Sequence, residues 1–91
     1  MVESNAVYWV YMLKCADGTF YTGQTMDLEG RVALHNAGKA ARYTRGRRPV
    51  ELAYAEQVTS RGEALRREQA LRKLPRKVKE TLAATRGVAD F

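Results

Sequence analysis

The stretch VYWVYMLKCADGTFYTG, from Val7 to Gly23, contains two apolar and aromatic runs separated by a polar turn. The first run, Val7 to Leu13, is rich in the aromatic and β-branched residues that favour strands, and Thr19 to Gly23 has the length of a returning strand. The Asp17-Gly18 pair between them is typical of a tight turn. The sequence therefore predicts a β-hairpin as the framework of the fold.

The length of the hairpin loop decides which side chains share a face of the sheet. A three-residue loop over residues 16–18, with its glycine in the left-handed conformation, places Tyr11 opposite Gly23 and Tyr21 opposite Leu13. Both phenols then project from one face, whereas a two-residue loop would place them on opposite faces. Either way, two strand tyrosines can also be simple packing residues.

A helix and a basic loop are predicted after the hairpin. Asp27 can cap the start of the helix, which runs to about Ala37, and Gly38 is the expected stop just beyond its end. Residues 39–48 are polar and basic and predict a loop. They follow the glycine directly, so the loop begins where the helix ends.

The remaining elements complete one α+β domain. A strand is predicted over residues 50–58, because Val50, Leu52 and Tyr54 are apolar at alternate positions. The helices that follow are marked by caps and stops: a Ser60–Glu63 capping box for a helix ending near Leu74, then Pro75 in the first turn of a helix reaching about Thr85, with Gly87 closing it. We expect a single domain over residues 1–91, with its core at about 7–85 and a small antiparallel sheet.

Composition and charge limit the class of protein. The chain has 91 residues, of which 45% are hydrophobic, so one globular domain is expected. The single Cys15 and the single His35 exclude a disulfide framework and a Cys–His zinc site. The sequence shows no long apolar run and no signal peptide, so no membrane partner and a cytoplasmic location are expected. The net charge of +6 favours a polyanionic partner such as nucleic acid.

Arg31 and His35 form a candidate functional pair. They are four residues apart, so they project from the same side of the first predicted helix. Leu28 and Val32 share much of that side, which places the pair at the buried edge. The histidine can be a hydrogen-bonded core residue, whereas the arginine suits bidentate binding of a phosphate.

Glu68 lies within an apolar stripe of the helix predicted after residue 60. On a helical wheel it falls between Ala64 and Leu65, with Leu71 close by. A carboxylate in such a stripe requires an ion pair, a proton or a metal ion. Two interpretations stay open: a salt bridge to Arg72 one turn later, and a ligand for Mg²⁺, which completes its shell with water and phosphate oxygens.

The basic loop over residues 39–48 is a candidate nucleic-acid surface. Interleaved cations and an aromatic ring suit phosphate contacts together with stacking on a base. A solvated charged surface is the simpler interpretation, but the density of arginine beside the other candidate elements favours a nucleic-acid track. The candidate binding residues are Lys39, Arg42, Tyr43, Thr44, Arg45, Arg47 and Arg48.

In their order and spacing these residues resemble the GIY-YIG nuclease family. Trp9-Val10-Tyr11 stands in the position of the family's first triplet, and Tyr21-Thr22-Gly23 stands in that of the second. LEGRVALHNAG matches the helix that carries the family's arginine and histidine, and ARYTRGRRPVEL and EALRREQALRKL resemble its compact, single-domain bacterial branch. The resemblance covers Val7 to about Leu82. Trp9 replaces the glycine of the first triplet, which predicts a narrowed or reshaped substrate groove.

The resemblance implies a three-stranded antiparallel sheet flanked by three helices, and hydrolysis of DNA phosphodiester bonds with one Mg²⁺ or Mn²⁺ ion. Tyr11 and Tyr21 would line the active face, with Tyr11 helping to deprotonate or position the attacking water. Arg31 would hold the scissile phosphate, and His35 would assist proton transfer or orient a tyrosine. Glu68 would hold the metal.

Three functions are compatible with the sequence. The resemblance favours an endonuclease that selects DNA structure rather than sequence, since phosphate contacts carry no base information. A noncatalytic DNA- or RNA-binding module with the same fold is the alternative, and a protein-interaction module is the third. A protein partner that supplies specificity is a further possibility, because larger members of the family carry a separate binding domain.

Overall fold

The structure, a computed structural model, describes residues 7–86, with side chains to residue 84, and forms three strands and four helices in that range. In chain order these are β1 (Tyr8–Lys14), β2 (Phe20–Thr25), α1 (Leu28–Asn36), α2 (Arg42–Arg45), β3 (Glu51–Val58), α3 (Arg61–Arg72) and α4 (Arg76–Arg86). The α+β class is confirmed. Within these residues no helix is long and apolar enough to cross a membrane.

The hairpin has the register predicted for a three-residue loop. Gly18 has a positive φ of 86°, a conformation that favours glycine. Tyr11 pairs with Gly23, and Leu13 pairs with Tyr21. Both tyrosines therefore project from the same face of the sheet.

The strand order is β2-β1-β3, and all pairings are antiparallel. A bulge in the β1–β3 ladder interrupts the alternation expected for β3, because Met12 pairs with Tyr54 while the next residue, Leu13, pairs with Leu52. As a result Tyr54 faces one side of the sheet and Leu52 packs on the other.

Each face of the sheet is covered by different helices. One face packs against α3 and α4 through the apolar cluster Val10, Met12, Tyr54, Val58, Ala64 and Leu71. The other face packs against α1 through Tyr11, Leu13, Cys15, Val50 and Ala55, with Leu28 and Val32 of the helix against them. Because β1 is central, its residues 10–13 are buried from both sides.

The ends of α1 follow the sequence signals. Asp27 accepts a hydrogen bond from the Gly30 N–H at 3.1 Å and caps the helix, and Gly38 has a φ of 78° just after its end. The side-chain amide of Asn36 then makes two hydrogen bonds to the backbone of Val50, at 2.8 and 3.0 Å. These bonds fix the end of α1 against the start of β3.

The predictions from the sequence were less accurate for the residues that follow α1. The loop prediction for residues 39–48 is wrong for α2, whose Thr44 side chain bonds the Ala41 carbonyl and closes a turn of helix; the sheet is thus flanked by four helices rather than three. Ser60 caps α3 as predicted, but Leu65 is 50% exposed and does not belong to the apolar stripe. The predicted stop at Gly87 lies outside the described residues.

Candidate active site

A chain of buried hydrogen bonds connects Tyr11 on β1, His35 on α1 and Thr44 on α2. The Tyr11 phenol oxygen lies 2.9 Å from His35 Nε2, and His35 Nδ1 lies 2.8 Å from Thr44 Oγ1. The Thr44 hydroxyl donates its one proton to the Ala41 carbonyl at 3.2 Å, so it accepts from the histidine Nδ1–H. Nε2 is then the acceptor, and the phenol of Tyr11 donates to it.

Burial keeps both members of the Tyr11–His35 pair neutral. Burial raises the pKa of Tyr11 well above its usual range, Tyr21 adds to the rise, and the nearby Arg31 opposes it. Burial also lowers the pKa of His35 from its ordinary value of 6.5, and the charge of Arg31 lowers it further. A neutral imidazole that accepts from a neutral phenol is an arrangement in which a proton can pass from tyrosine to histidine.

Gly23 allows the Tyr11 ring to lie across the edge strand. A Cβ at position 23 would stand 2.6 Å from the Tyr11 phenol oxygen and 3.1 Å from a ring carbon of Tyr21, closer than side chains pack. Since β2 is one of the two outer strands of the sheet, the phenol oxygen lies over this glycine at the sheet edge. The glycine of the second triplet is therefore required by the position of the tyrosine of the first.

The ring of Tyr21 packs against the rings of Tyr11 and His35 and against that of Tyr43 on α2. Its ring centroid lies 5.0 Å from that of His35 and 6.5 Å from that of Tyr11. Tyr43 stacks on it at 5.9 Å with an interplanar angle of 29°. The structure thus brings together the two predicted tyrosines and the histidine, with Arg31 close enough to act on the pKa values of Tyr11 and His35.

Glu68 on α3 contacts β2 from the face of the sheet opposite to that of Tyr11 and Tyr21. Its side chain is only 15% exposed. Its carboxylate accepts a hydrogen bond from Gln24 Nε2 at 2.8 Å and forms an ion pair with Arg72. The predicted salt bridge to Arg72 is therefore present. The negative charge of Glu68 is among the influences that raise the pKa of Tyr11, so it belongs to the surroundings of the phenol.

Gln24 is a site residue that the sequence interpretation missed. It directly follows the second triplet, and strand alternation places it with Thr22 on the face that α3 covers. That alternation was the available signal. The residue holds Glu68 against the edge of β2.

The candidate nucleic-acid residues after α1 divide into three groups. Lys39, Arg42 and Arg45 are exposed, as a phosphate-binding surface requires. Thr44 is fully buried and bonded to His35. Its predicted role as a nucleic-acid contact is therefore wrong, because its hydroxyl orients the histidine instead.

Tyr43 and the last two arginines of this segment are engaged within the protein. The Arg47 guanidinium lies 3.9 Å from the centre of the Tyr43 ring and forms a 3.0 Å salt bridge with Asp17 of the hairpin loop. Arg48 donates to the backbone carbonyls of Arg45 and Asn36. These arginines hold α2 against its neighbours while remaining partly solvent-accessible.

Trp9 lies on the same face of the sheet as Tyr11 and Tyr21. It packs against the apolar cluster on the α1 face and lines a groove of about 910 Å³ together with Met26, Leu28 and Leu52. None of the predicted site residues lines that groove. That Trp9 narrows or reshapes a substrate groove stays a prediction, and the groove it lines shares no residue with the candidate site.

The chain matches one family profile over most of its length. The profile described as the GIY-YIG catalytic domain covers residues 7–81. A UPF0213 protein from Halobacterium salinarum is 51% identical over 76 residues, which are 84% of this chain and 99% of that protein. A UPF0213 protein from Staphylococcus haemolyticus is 49% identical over 74 residues, covering 81% of this chain and 90% of that protein.

Two solution NMR structures are similar to the whole fold. A UPF0213 protein from Bacillus halodurans is 40% identical with a TM-score of 0.57, and the match covers 92% of this chain and 89% of that one. A protein from E. faecalis is 40% identical with a TM-score of 0.59, covering 92% and 90% of the two chains.

Proposed function

This chain belongs to the GIY-YIG family, and from that premise we propose that it is a metal-dependent endonuclease that hydrolyses DNA phosphodiester bonds and selects DNA by structure rather than by sequence. The observation that carries the proposal is the hydrogen-bond chain from Tyr11 through His35 to Thr44. It supplies a phenol at the sheet edge with an oriented proton acceptor behind it, which is what activation of a water molecule requires.

In this proposal Tyr11 and His35 move the proton of the attacking water. The water gives its proton to the phenol oxygen as the phenol proton passes to His35 Nε2, so the tyrosine stays neutral and the histidine becomes an imidazolium. The Nδ1–H bond to Thr44 is kept throughout and fixes the ring. The water oxygen forms a bond to phosphorus, and the bond from phosphorus to the leaving oxygen breaks.

Arg31 would carry the phosphate charge in this scheme. Its guanidinium lies beside the phenol and lowers the pKa of Tyr11 against the effect of burial. A fixed cation at that place can bind a phosphate oxygen with two parallel hydrogen bonds and stabilise the charge added in the transition state. Tyr21, packed against both Tyr11 and His35, would hold the phenol in place.

The Glu68 carboxylate is suited to bind a divalent ion that retains most of its water ligands. In residues 7–86 no group of three or more acidic, histidine or cysteine side chains is placed to hold a metal. One carboxylate is sufficient for Mg²⁺ or Mn²⁺ when water and phosphate oxygens complete the shell, and oxygens with one hydrogen bond each retain acceptor capacity. When bound, the ion would supply Lewis-acid stabilisation of the leaving oxygen.

The test is cleavage of labelled single-stranded, duplex, flapped and four-way-junction DNA with Mg²⁺, with Mn²⁺ and with a chelator. We expect metal-dependent cuts that fall about 100-fold in Glu68→Gln. Glu63→Gln is the matched control, because Glu63 lies on the same helix and pairs with the exposed Arg66. Cleavage by Glu68→Gln at the rate of the unchanged protein would overturn the metal assignment.

A noncatalytic nucleic-acid-binding module is the second candidate function. One observation favours it: the Glu68 carboxylate is already bound by Gln24 and Arg72. A metal ion would have to share the carboxylate with these two side chains or displace them. Binding of all four DNA forms without cutting in either metal would support this alternative. Affinity should then still fall as salt rises, with a log–log slope of about −0.9 for each duplex phosphate contacted.

A further inference from the structure

A pocket of about 230 Å³ lies at the outer edge of β2, beside the candidate active site. Tyr21 belongs to both, and Arg72, which lines the pocket, is the ion-pair partner of Glu68. Phe20 and Thr22 of β2 contribute the strand side, and Lys79 reaches the pocket from α4. None of the proton-transfer steps above uses Thr22 or Lys79.

Lys79 is a half-buried cation that takes part in none of the salt bridges formed between residues 7 and 84. Most of its arginine neighbours differ, since those on α3 other than Arg61, and the first on α4, are paired with a carboxylate. The paired arginines are Arg66, Arg67, Arg72 and Arg76. An ammonium group that is partly removed from water and forms no ion pair favours binding of an anion.

Thr22 is the second, independent indication of a ligand. The residue is only 4% exposed, and its hydroxyl has no hydrogen-bond partner in the described part of the chain. Buried hydroxyls without partners are uncommon, because the lost hydrogen bonds to water are normally replaced. Thr22 is among the residues that line the pocket, so an anion held there can supply the partner that its buried hydroxyl lacks.

From these features we propose that the pocket binds a phosphate group of a nucleic-acid strand, next to the scissile phosphate, with Lys79 and Arg72 supplying the charge and Thr22 donating a hydrogen bond. The assignment of the neighbouring position rests on the proposed function, because the scissile phosphate is placed by Tyr11 and Arg31. The pocket opens to solvent at the edge strand β2, so a nucleic-acid strand can reach it.

The same phosphate chemistry has two sources, an internal phosphodiester and a terminal phosphate at a strand end. Binding of an eight-residue oligothymidylate without terminal phosphates is compared with binding of its 5′-phosphorylated and 3′-phosphorylated forms. Equal affinity for the three assigns the pocket to an internal phosphodiester. A preference for one phosphorylated form, lost in Lys79→Gln, assigns it to that strand end.

The matched pair of variants is Lys79→Gln and Lys77→Gln. Both remove one positive charge from α4, but Lys77 is exposed and does not line the pocket. We expect Lys79→Gln to weaken oligonucleotide binding on the order of 10-fold and to reduce the salt slope by about 0.7, the value for one single-strand phosphate contact. Lys77→Gln should change affinity by less than about 2-fold, because an exposed charge is screened by salt.

Thr22→Val separates a binding role from a structural one. The substitution keeps the shape and removes a hydroxyl that has no protein partner, so the melting temperature should stay the same or rise. Oligonucleotide binding should fall about 3-fold. A variant that melts lower and binds normally would show that the hydroxyl serves the fold, and it would overturn the role of Thr22.

The outcomes distinguish this proposal from the proposed nuclease activity. Equal binding by Lys79→Gln and Lys77→Gln in a protein that cleaves DNA would overturn the pocket and leave the nuclease standing. Selective loss of binding in Lys79→Gln, in a protein that cuts none of the DNA forms, would support the pocket and overturn the nuclease. NMR chemical-shift changes at Thr22 and Lys79 on oligonucleotide addition, absent at Lys77, place the ligand directly.

Discussion

The two faces of the sheet bury their side chains in different ways. On the α3 and α4 face the buried set is mainly apolar, with Val10, Met12 and Leu71 almost without exposure. On the α1 face the deepest residues include Tyr11 and His35, which are as inaccessible but joined by hydrogen bonds. Apolar burial stabilises in proportion to area, whereas buried polar groups stabilise only while every partner is present.

Because of this difference, the apolar face mainly stabilises the fold, whereas the hydrogen-bonded face carries the residues of the proposed reaction. The apolar face can lose a methyl group and keep its remaining contacts, although it loses free energy of unfolding. The polar face loses orientation when one member is removed, because the neighbouring member is left buried and unpaired. We therefore expect substitutions on the two faces to affect different measurements.

The largest effect is expected for Tyr11→Phe, compared with Tyr54→Phe on the opposite face. Both tyrosines are buried, but Tyr11 donates to His35 and Tyr54 donates to Glu56. If Tyr11 relays the water proton, its loss should lower kcat by about 10²- to 10⁴-fold. Single-turnover cleavage of a junction substrate measures this, and Tyr54→Phe should stay within about 2-fold. Equal losses in both variants would contradict the division between the faces.

On the apolar face, Leu71→Ala should mainly change stability. Leu71 is 1% exposed, so the truncation leaves a cavity and should lower the free energy of unfolding by about 2–5 kcal/mol. Leu65→Ala is the control on the same helix, since Leu65 is 50% exposed, and it should lose less than about 1 kcal/mol. Urea unfolding followed by circular dichroism measures both. Similar losses would mean that Leu71 is not part of a close-packed core.

Thr44→Val tests whether the polar face depends on each of its members. Removing the hydroxyl leaves the His35 Nδ1–H without its acceptor, which should lower the free energy of unfolding by about 1–3 kcal/mol. The imidazole ¹⁵N shifts of His35 should change, because the assigned Nδ1–H tautomer loses its support. Thr44→Ser should restore both values. Unchanged ring shifts in Thr44→Val would contradict the tautomer assigned to His35.

The smallest effect is the pH dependence of stability that His35 contributes. Because burial lowers the pKa of folded His35 below its ordinary 6.5, the unfolded chain binds the proton more readily. Stability should be constant above that value and decline as the pH falls through it, until the folded pKa is passed. Urea unfolding between pH 5 and 8 should show a smaller slope in His35→Gln. A slope that stays the same would assign the titration to other groups.

Much of the fold follows from local chemistry that the sequence displays. The hairpin register depends on one glycine with a positive φ, and the caps at Asp27 and Ser60 depend on side chains that bond to their own helix. Such features need no knowledge of distant residues. The shared face of Tyr11 and Tyr21 follows from that register, but the sequence also left open a two-residue loop, which would place them on opposite faces.

The features that could not be predicted depend on distant partners. Thr44 was placed with surface residues because its own segment is basic, and only the approach of His35 makes it a buried acceptor. The bulge that separates Leu52 from Tyr54 is a property of the β1–β3 pairing, and Gln24 acquires its role from Glu68. The hairpin sequence, the helix sequence and the loop sequence each lack this information when taken alone.

The central position of β1 has a consequence for how quickly the site can form. The hairpin partners of β1 are close in sequence, but its other ladder joins Tyr8 to Val58 and Lys14 to Glu51, so it encloses a long loop. Closing such a loop is slow compared with forming a hairpin. That loop carries both His35 and Thr44, so we expect the site to be completed in the slow step of folding and to be lost early whenever β3 separates from the sheet.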